Sequence, residues 1–274
     1  MDIKAFKMDG LGNDFIIIDQ RNQNLDFTKD QIIKICDRNY IGCDQLILIK
    51  KNREIDAGLE FYNSDGSVSD ACGNGTRCVA DLLAKENNKK EIFLWTSAGI
   101  LKSNILGNNL VETEIGIPKT TWKEIPLNKE IDTKNLKIEI IDKDNKKHIG
   151  GTAVNVGNPH TIFFVNDIEN FDLKNIGPKI ENFELFPEKC NVTLAMVLNK
   201  NLIKVKVWER GAGLTKACGT AACATAVAGN INGLIEKITD IQFSLGKITI
   251  SIDEKNSVHM KGPVSNIQDI KIKL

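Results

Sequence analysis

The chain of 274 residues reads as an α+β protein of two pseudo-symmetric domains, each with strand-forming runs set around one helix of small residues. Three observations predict this. The stretches Asp70-Ala71-Cys72-Gly73-Asn74-Gly75-Thr76-Arg77-Cys78 and Lys216-Ala217-Cys218-Gly219-Thr220-Ala221-Ala222-Cys223 share an Ala-Cys-Gly step that opens a helix. Polar positions recur at matching distances before the two cysteines. Asn13 and Asn158 match to within one residue, while Gln45 pairs with Asn191 and Asn63 with Glu209 at identical offsets. Apolar runs bounded by Gly, Asn and Ser surround both stretches, as strands and turns would.

Bulk composition narrows the classes. Hydrophobic residues make up 42% and charged residues 26%, an ordinary globular balance. Formal net charge is zero, which lends nothing to a nucleic-acid partner. No apolar run approaches the roughly 18 residues of a membrane span, and Met1 opens no signal peptide, so a cytoplasmic protein without a membrane partner is expected. Seven cysteines with no Cys-x-x-Cys argue against a disulfide framework and a zinc ribbon. Only three histidines occur, widely spaced, and no metal site is expected.

In chain order, Met8–Asp14 reads as a glycine turn leading into a buried strand at Phe15–Ile18. A dinucleotide fingerprint needs a strand before its glycines and a helix after them; the order here is read as the reverse. Thr28-Lys29-Asp30-Gln31 resembles a capping box, and Ile32, Ile33 and Ile35 give the helix that follows an apolar face. Strands are predicted at 46–49, 59–62, 92–96 and 110–115, with the first small-residue helix, about 73–85, among them. Gly116-Ile117-Pro118 then breaks the pattern. Further strands are predicted at 136–141, 162–165, 192–197, 202–208, 241–245 and 248–252. The second helix, about 219–230, is nearly all alanine, so that a sheet can close around it. Domain boundaries are expected at 1–118 and 119–263, with the tail at about 264–274 a candidate to pack on the first half.

A cysteine at a helix N-terminus meets unpaired backbone N–H groups and the positive end of the helix dipole, which favour a thiolate. Cys72 and Cys218, one in each half, are chemically open to a redox disulfide, to a soft metal, or to work on opposite faces of one carbon. The symmetry favours the third. One thiolate removes a proton while the other thiol delivers one from the opposite side. The N–H groups of Gly73-Asn74 and Gly219-Thr220 suit an α-carboxylate and the charge that grows on it as the proton leaves. Glu209 accepts from an ammonium, Arg210 grips a carboxylate, and Asn13, Asn63, Asn158 and Asn191 supply donors and acceptors. Together these suit a second amino-acid head remote from the reacting carbon. No lysine site for pyridoxal phosphate is apparent, and no cofactor is required.

Tyr-Asn-Ser-Asp-Gly-Ser (62–67), Ala-Cys-Gly-Asn-Gly-Thr-Arg-Cys (71–78) and Trp-Glu-Arg-Gly-Ala-Gly-Leu-Thr-Lys-Ala-Cys-Gly-Thr (208–220) resemble the diaminopimelate epimerase family. Gly-Asn-Asp-Phe (12–15), Asp-Gln-Leu (44–46) and Gly-Asn-Pro-His (157–160) extend the similarity, which spans about residues 5–265. The resemblance implies a cofactor-independent epimerase that interconverts LL- and meso-diaminopimelate for lysine and cell-wall precursors. It implies two domains, each a mostly antiparallel sheet wrapped around a central helix, and a homodimer. Cys72 and Cys218 become the acid/base pair. Asn13, Gln45, Asn63, Asn158, Asn191, Glu209 and Arg210, with the main chain at Gly73-Asn74 and Gly219-Thr220, become the substrate contacts.

Two departures stand out. Cys43 replaces the family's usual glycine before Asp44-Gln45, and Lys189 replaces its usual arginine ahead of Asn191. The remaining cysteines (36, 43, 78, 190 and 223) read as buried small hydrophobes, and His160 as a structural hydrogen-bonding residue. A proline or hydroxyproline racemase is the nearest alternative; those relatives carry His where this chain has Asn74, and their small cyclic substrates have no second head. A binding module would lack one of the cysteines, and a thiol redox protein would work without exchange of a substrate Cα–H.

Overall fold

In a computed structural model, which describes residues 2–23, 25–69, 72–97 and 99–274, the chain falls into two compact units. The first runs to Glu114 and regains the chain at Lys261–Leu274; the second is Ile115–Met260.

The first unit opens with a hairpin of β1 (Asp2–Gly10) and β2 (Asn13–Asp19). Leu11 and Gly12 form its two-residue loop with φ of 61° and 81°, the doubly left-handed turn that matches strand twist. A strand therefore does precede the glycines, contrary to the order read from sequence. A strand, and not a helix, follows them, so the dinucleotide fingerprint still fails. Helix α1 (Lys29–Cys36) begins on the expected capping box: Thr28 Oγ1 accepts the Gln31 N–H at 3.3 Å, and Gln31 Oε1 accepts the Thr28 N–H at 2.9 Å. Ile32 and Ile35 are buried, but Ile33 faces solvent, which narrows the expected apolar face to one stripe.

Strands β3 (Gln45–Lys50), β4 (Ala57–Asn63) and β5 (Val68–Ser69) precede helix α2 (Gly73–Asn87). Then come β6 (Glu91–Thr96), β7 (Gly99–Gly107) and β8 (Leu110–Gly116). Among the described residues most pairings in this unit are antiparallel, while β2 with β3 and β4 with β6 run parallel. The apolar run at Phe15–Ile18 is continuous because both faces of β2 are covered. Phe15 and Ile17 join Cys78, Val79, Leu82 and Leu83 of α2 in one core, while Ile16 and Ile18 join Ile32 and Ile35 of α1 in another. Close approach fixes α2: a Cβ on Gly75 would lie 2.6 Å from Ile47 Cδ1.

The second unit contains the ribbon β9 (Ile138–Ile141) and β10 (Lys147–Gly150), then β11 (Thr152–Asn155) and β12 (Pro159–Phe164). Helix α3 (Leu173–Glu181) follows, then β13 (Asn191–Asn199), β14 (Leu202–Glu209), the short β15 (Gly213–Thr215) and helix α4 (Gly219–Ile231). Strands β16 (Ile238–Phe243) and β17 (Gly246–Ile252) complete it; β18 (Val258–Pro263) leads the chain back to the first unit, where β19 (Gln268–Lys273) pairs with β1. Helix α4 packs against β11, β12, β13, β16 and β17, with Ala221, Ala222, Ala224, Ala226 and Ala228 all buried. Alanine on every face lets several strands approach it at once. Helix α3 lies with Phe163, Val192 and Leu194 in a separate core. Each unit is thus a mostly antiparallel sheet enclosing one helix that begins at a cysteine.

Candidate active site

The two cysteines occupy the same backbone position. Cys72 caps α2 with φ −143° and ψ 105°, and Cys218 caps α4 with φ −139° and ψ 117°. Each carbonyl accepts the first intrahelical bond, from Thr76 N at 2.8 Å and from Ala222 N at 3.0 Å. At such a cap a side chain can reach the free N–H groups of the first turn, and the Cys72 thiol does so. Asp70 and Ala71, part of the sequence motif, lie outside the described residues.

In the first unit the Cys72 sulfur accepts the Gly75 N–H at 3.4 Å and stands 3.8 Å from Asn13 Oδ1. Asn13 Oδ1 also accepts from Asn74 Nδ2 at 3.4 Å, and Asn74 Oδ1 accepts from the buried Arg77 guanidinium at 2.8 Å. The far end of the Asn13 amide donates to Asp44 Oδ2 at 3.0 Å. A carboxylate is an acceptor only, so Asp44 dictates which end of Asn13 faces Cys72. Asp44 is held in turn by Arg38 at 2.6 Å, which also makes a two-pronged contact with Asp14. Gln45 and Asn63 face each other across the β3–β4 pairing, with Gln45 Nε2 donating to Asn63 Oδ1 at 2.9 Å. Asn13, Cys72, Gly73 and Asn74 are therefore one cluster, and Gln45 with Asn63 is a neighbouring pair.

In the second unit, Cys218 is buried and its sulfur is 3.4 Å from Thr220 Oγ1. Burial pushes the Cys218 thiol well above its ordinary value; the adjacent Glu209 carboxylate pushes the same way, while the Thr220 hydroxyl and Ala221 N–H oppose it. Cys218 is thus held as a protonated thiol. Asn191 Oδ1 accepts the Arg210 N–H at 3.0 Å, and its Nδ2 donates to the Pro159 carbonyl at 3.0 Å. His160, fully buried, lies 2.8 Å from Asn158 Oδ1. Burial, aided by the Arg210 charge, lowers His160 to about 3, so the ring is neutral. A neutral ring facing an amide oxygen carries its proton on Nε2 and donates it to Asn158. The register β12–β13 sets His160 opposite Asn191, and β13–β14 sets Val192 opposite Trp208; these pairings gather Asn158, Asn191, Glu209 and Arg210 at one end of the strands. The Arg210 guanidinium donates to the Glu188 carbonyl at 2.8 Å and so is tethered to its own unit.

Among the described residues no group of three His, Cys, Asp or Glu side chains is arranged to hold a metal ion. What both units offer is a cysteine at a helix N-cap with side-chain amides nearby; in the first the sulfur itself accepts a first-turn N–H, while in the second it meets the Thr220 hydroxyl.

The diaminopimelate epimerase family model matches residues 5–121 and 152–267. A diaminopimelate epimerase of Pelagibacter ubique (strain HTCC1062) is 78% identical over 274 residues, with 100% of each chain covered. The chain belongs to the diaminopimelate epimerase family.

Another diaminopimelate epimerase, from Acidiphilium cryptum (strain JF-5), is 41% identical over 260 residues, covering 94% of this chain and 92% of the relative. Solved structures with far lower identity share the fold. A predicted epimerase from Pseudomonas aeruginosa aligns over 99% of both chains with TM-score 0.71 at 13% identity. A probable proline racemase from Agrobacterium radiobacter K84 aligns over 99% of this chain and 93% of its own, with TM-score 0.70 at 11% identity.

Within a diaminopimelate epimerase the two departures are local. Cys43 is buried with its sulfur 3.4 Å from that of Cys36, and the left-handed backbone falls on its neighbour Gly42, so glycine is not required at 43 itself. Lys189 takes a left-handed φ of 59° in a turn closed by its N–H on the Phe186 carbonyl at 2.9 Å. Cys36, Cys78, Cys190 and Cys223 are buried as expected. Sequence reasoning missed Asp44 as the residue orienting Asn13, although it sits inside a quoted motif. It also missed Glu181, which touches the segment 208–211 from 27 residues away and carries no local signal.

Proposed function

We propose that this protein is a cofactor-independent epimerase interconverting LL- and meso-diaminopimelate, with Cys72 and Cys218 serving one α-carbon from opposite faces. The observation that carries the reading is the matched pair of helix-capping cysteines, with backbone angles agreeing to within about 12° between units. Family membership supplies the substrate.

In the direction that starts with Cys218 protonated, the Cys72 sulfur takes the α-proton as base. The electron pair of the broken C–H bond moves into the adjoining carboxylate, and the Cys218 S–H delivers its proton to the opposite face. The Gly75 N–H on Cys72 Sγ favours the thiolate that this role needs. N–H groups of Gly73, Asn74, Gly219 and Thr220 bind that carboxylate and stabilise the charge accumulating there. In the reverse direction the two thiols exchange roles. Asn13, Gln45, Asn63, Asn158, Asn191, Glu209 and Arg210 hold the substrate, the last two contacting its second amino-acid head. In the same reading the domains meet at about residues 118 and 263, and the enzyme works in the cytoplasm as a homodimer; light scattering on the eluting species tests the assembly.

The test is turnover. Purified protein with reductant and a metal chelator, without pyridoxal phosphate, is given LL-diaminopimelate, L-proline or trans-4-hydroxy-L-proline, and products are resolved by chiral chromatography. Conversion of diaminopimelate alone is expected. Racemisation of proline with none of diaminopimelate would overturn the substrate assignment.

A further inference from the structure

The turn that carries Glu209 and Arg210 is gripped from both sides by one carboxylate. Glu181, the last residue of α3, is buried. Its Oε2 accepts the Trp208 Nε1–H at 2.7 Å, and its Oε1 accepts the Gly211 N–H at 3.0 Å. These two donors flank Glu209-Arg210 in sequence. Asn191 Oδ1 takes the Arg210 N–H between them, and the Ala212 N–H closes the turn on the Glu209 carbonyl at 3.1 Å. Glu181 is also tied to Asn191's strand, since its carbonyl accepts the Cys190 N–H at 3.3 Å.

We propose that Glu181 is a positioning residue that sets the Glu209-Arg210 turn and, through it, the enzyme's grip on the second amino-acid head of the substrate. This rests on the functional reading above. Three features support it. Among the described residues Glu181 makes no ion pair, so its carboxylate is buried on neutral donors alone, a costly choice for a group that only fills space. A carboxylate is the side chain of this length that accepts two N–H groups at once, whereas glutamine has one acceptor and would point an NH₂ at the second donor. The Trp208 ring is itself seated: a Cβ on Gly177 of α3 would fall 2.4 Å from Trp208 Cγ, so the indole lies where only glycine leaves room. Ring and carboxylate together leave the backbone of 208–211 little freedom, and a misplaced binding group loses substrate affinity steeply.

The experiment compares the wild type with Glu181→Gln, Glu181→Ala, Trp208→Phe and the Glu181→Ala/Trp208→Phe double variant. KM and kcat for LL-diaminopimelate are measured beside the thermal midpoint. Glu181→Ala is expected to raise KM by about tenfold or more with a smaller change in kcat, and Glu181→Gln to fall between it and the wild type. Trp208→Phe, which keeps a ring but removes the donor, is expected to raise KM several-fold alone and to add nothing in the Glu181→Ala background. A role confined to stability would lower the midpoint and leave KM unchanged. KM within about twofold of wild type in folded Glu181→Ala, or, should that variant not fold, in both Glu181→Gln and Trp208→Phe, would overturn the assignment. A wild type that does not convert diaminopimelate would instead overturn the functional reading, and this assignment with it.

Discussion

His160 Nε2 lies 2.8 Å from Asn158 Oδ1, with the imidazole fully buried and neutral. The folded value near 3 lies below the ordinary 6.5, so the native state resists a proton that the unfolded chain takes up. The corresponding stability is present above pH 6.5 and is lost as pH falls toward 3. Between pH 7 and 5 the loss comes to about 2 kcal/mol. Urea unfolding at the two pH values measures it. His160→Gln, which cannot titrate, should lose about 2 kcal/mol less over that interval, and identical losses in both proteins would refute the assignment.

Asp44 determines the orientation of Asn13. Asp44→Ala frees the amide to turn its NH₂ toward Cys72, and kcat/KM should fall by about tenfold or more. The ion pair it removes is partly exposed and worth about 1 kcal/mol or less, so the urea midpoint should barely move. Unchanged kcat/KM would separate Asp44 from the site.

The close fit of sheet on helix makes Gly75 and Gly150 a matched pair of probes. Alanine at 75 drives a methyl into Ile47, and crowds Phe61 at 3.2 Å, which should destabilise the protein by about 1–3 kcal/mol. At 150 no atom lies within 4 Å, so the same change should stay within about 0.5 kcal/mol. Equal effects in urea titrations would contradict the enclosed position of α2.

Thiol accessibility differs sharply along the chain. Cys72 is half-buried, whereas Cys36, Cys43, Cys78, Cys190, Cys218 and Cys223 are buried. Iodoacetamide on the native protein should label Cys72 first, by about a hundredfold in rate, with activity lost in step. Peptide mass mapping of a short time course reads the order, and prior labelling at Cys36 or Cys43 would contradict it.

Much of this architecture is visible in the sequence wherever one local pattern decides the outcome. The capping box at Thr28–Gln31, the helix starts at Cys72-Gly73 and Cys218-Gly219 and the apolar runs of β2, β3, β13 and β14 all appear where the residues indicate. Elements with mixed signals do not. Strand β1 buries Ile3, Ala5, Met8 and Gly10, and two of those four are too small to mark an apolar face. Helix α3 contains Gly177 and Pro178, residues that ordinarily break a helix, so no helical pattern is legible there; in the fold Gly177 makes room for Trp208. Site chemistry was legible where residues touch one another through neighbouring strands, as with Gln45 and Asn63. Glu181 and Asp44 escaped because their roles exist only once distant segments are packed.

The most direct test of the two-thiol account is proton NMR of LL-diaminopimelate in heavy water, with wild type, Cys72→Ala and Cys218→Ala run side by side under reducing conditions. The account predicts loss of the α-proton signal and appearance of the meso isomer with wild type, and no inversion with either variant. Inversion that survives removal of either thiol would contradict it.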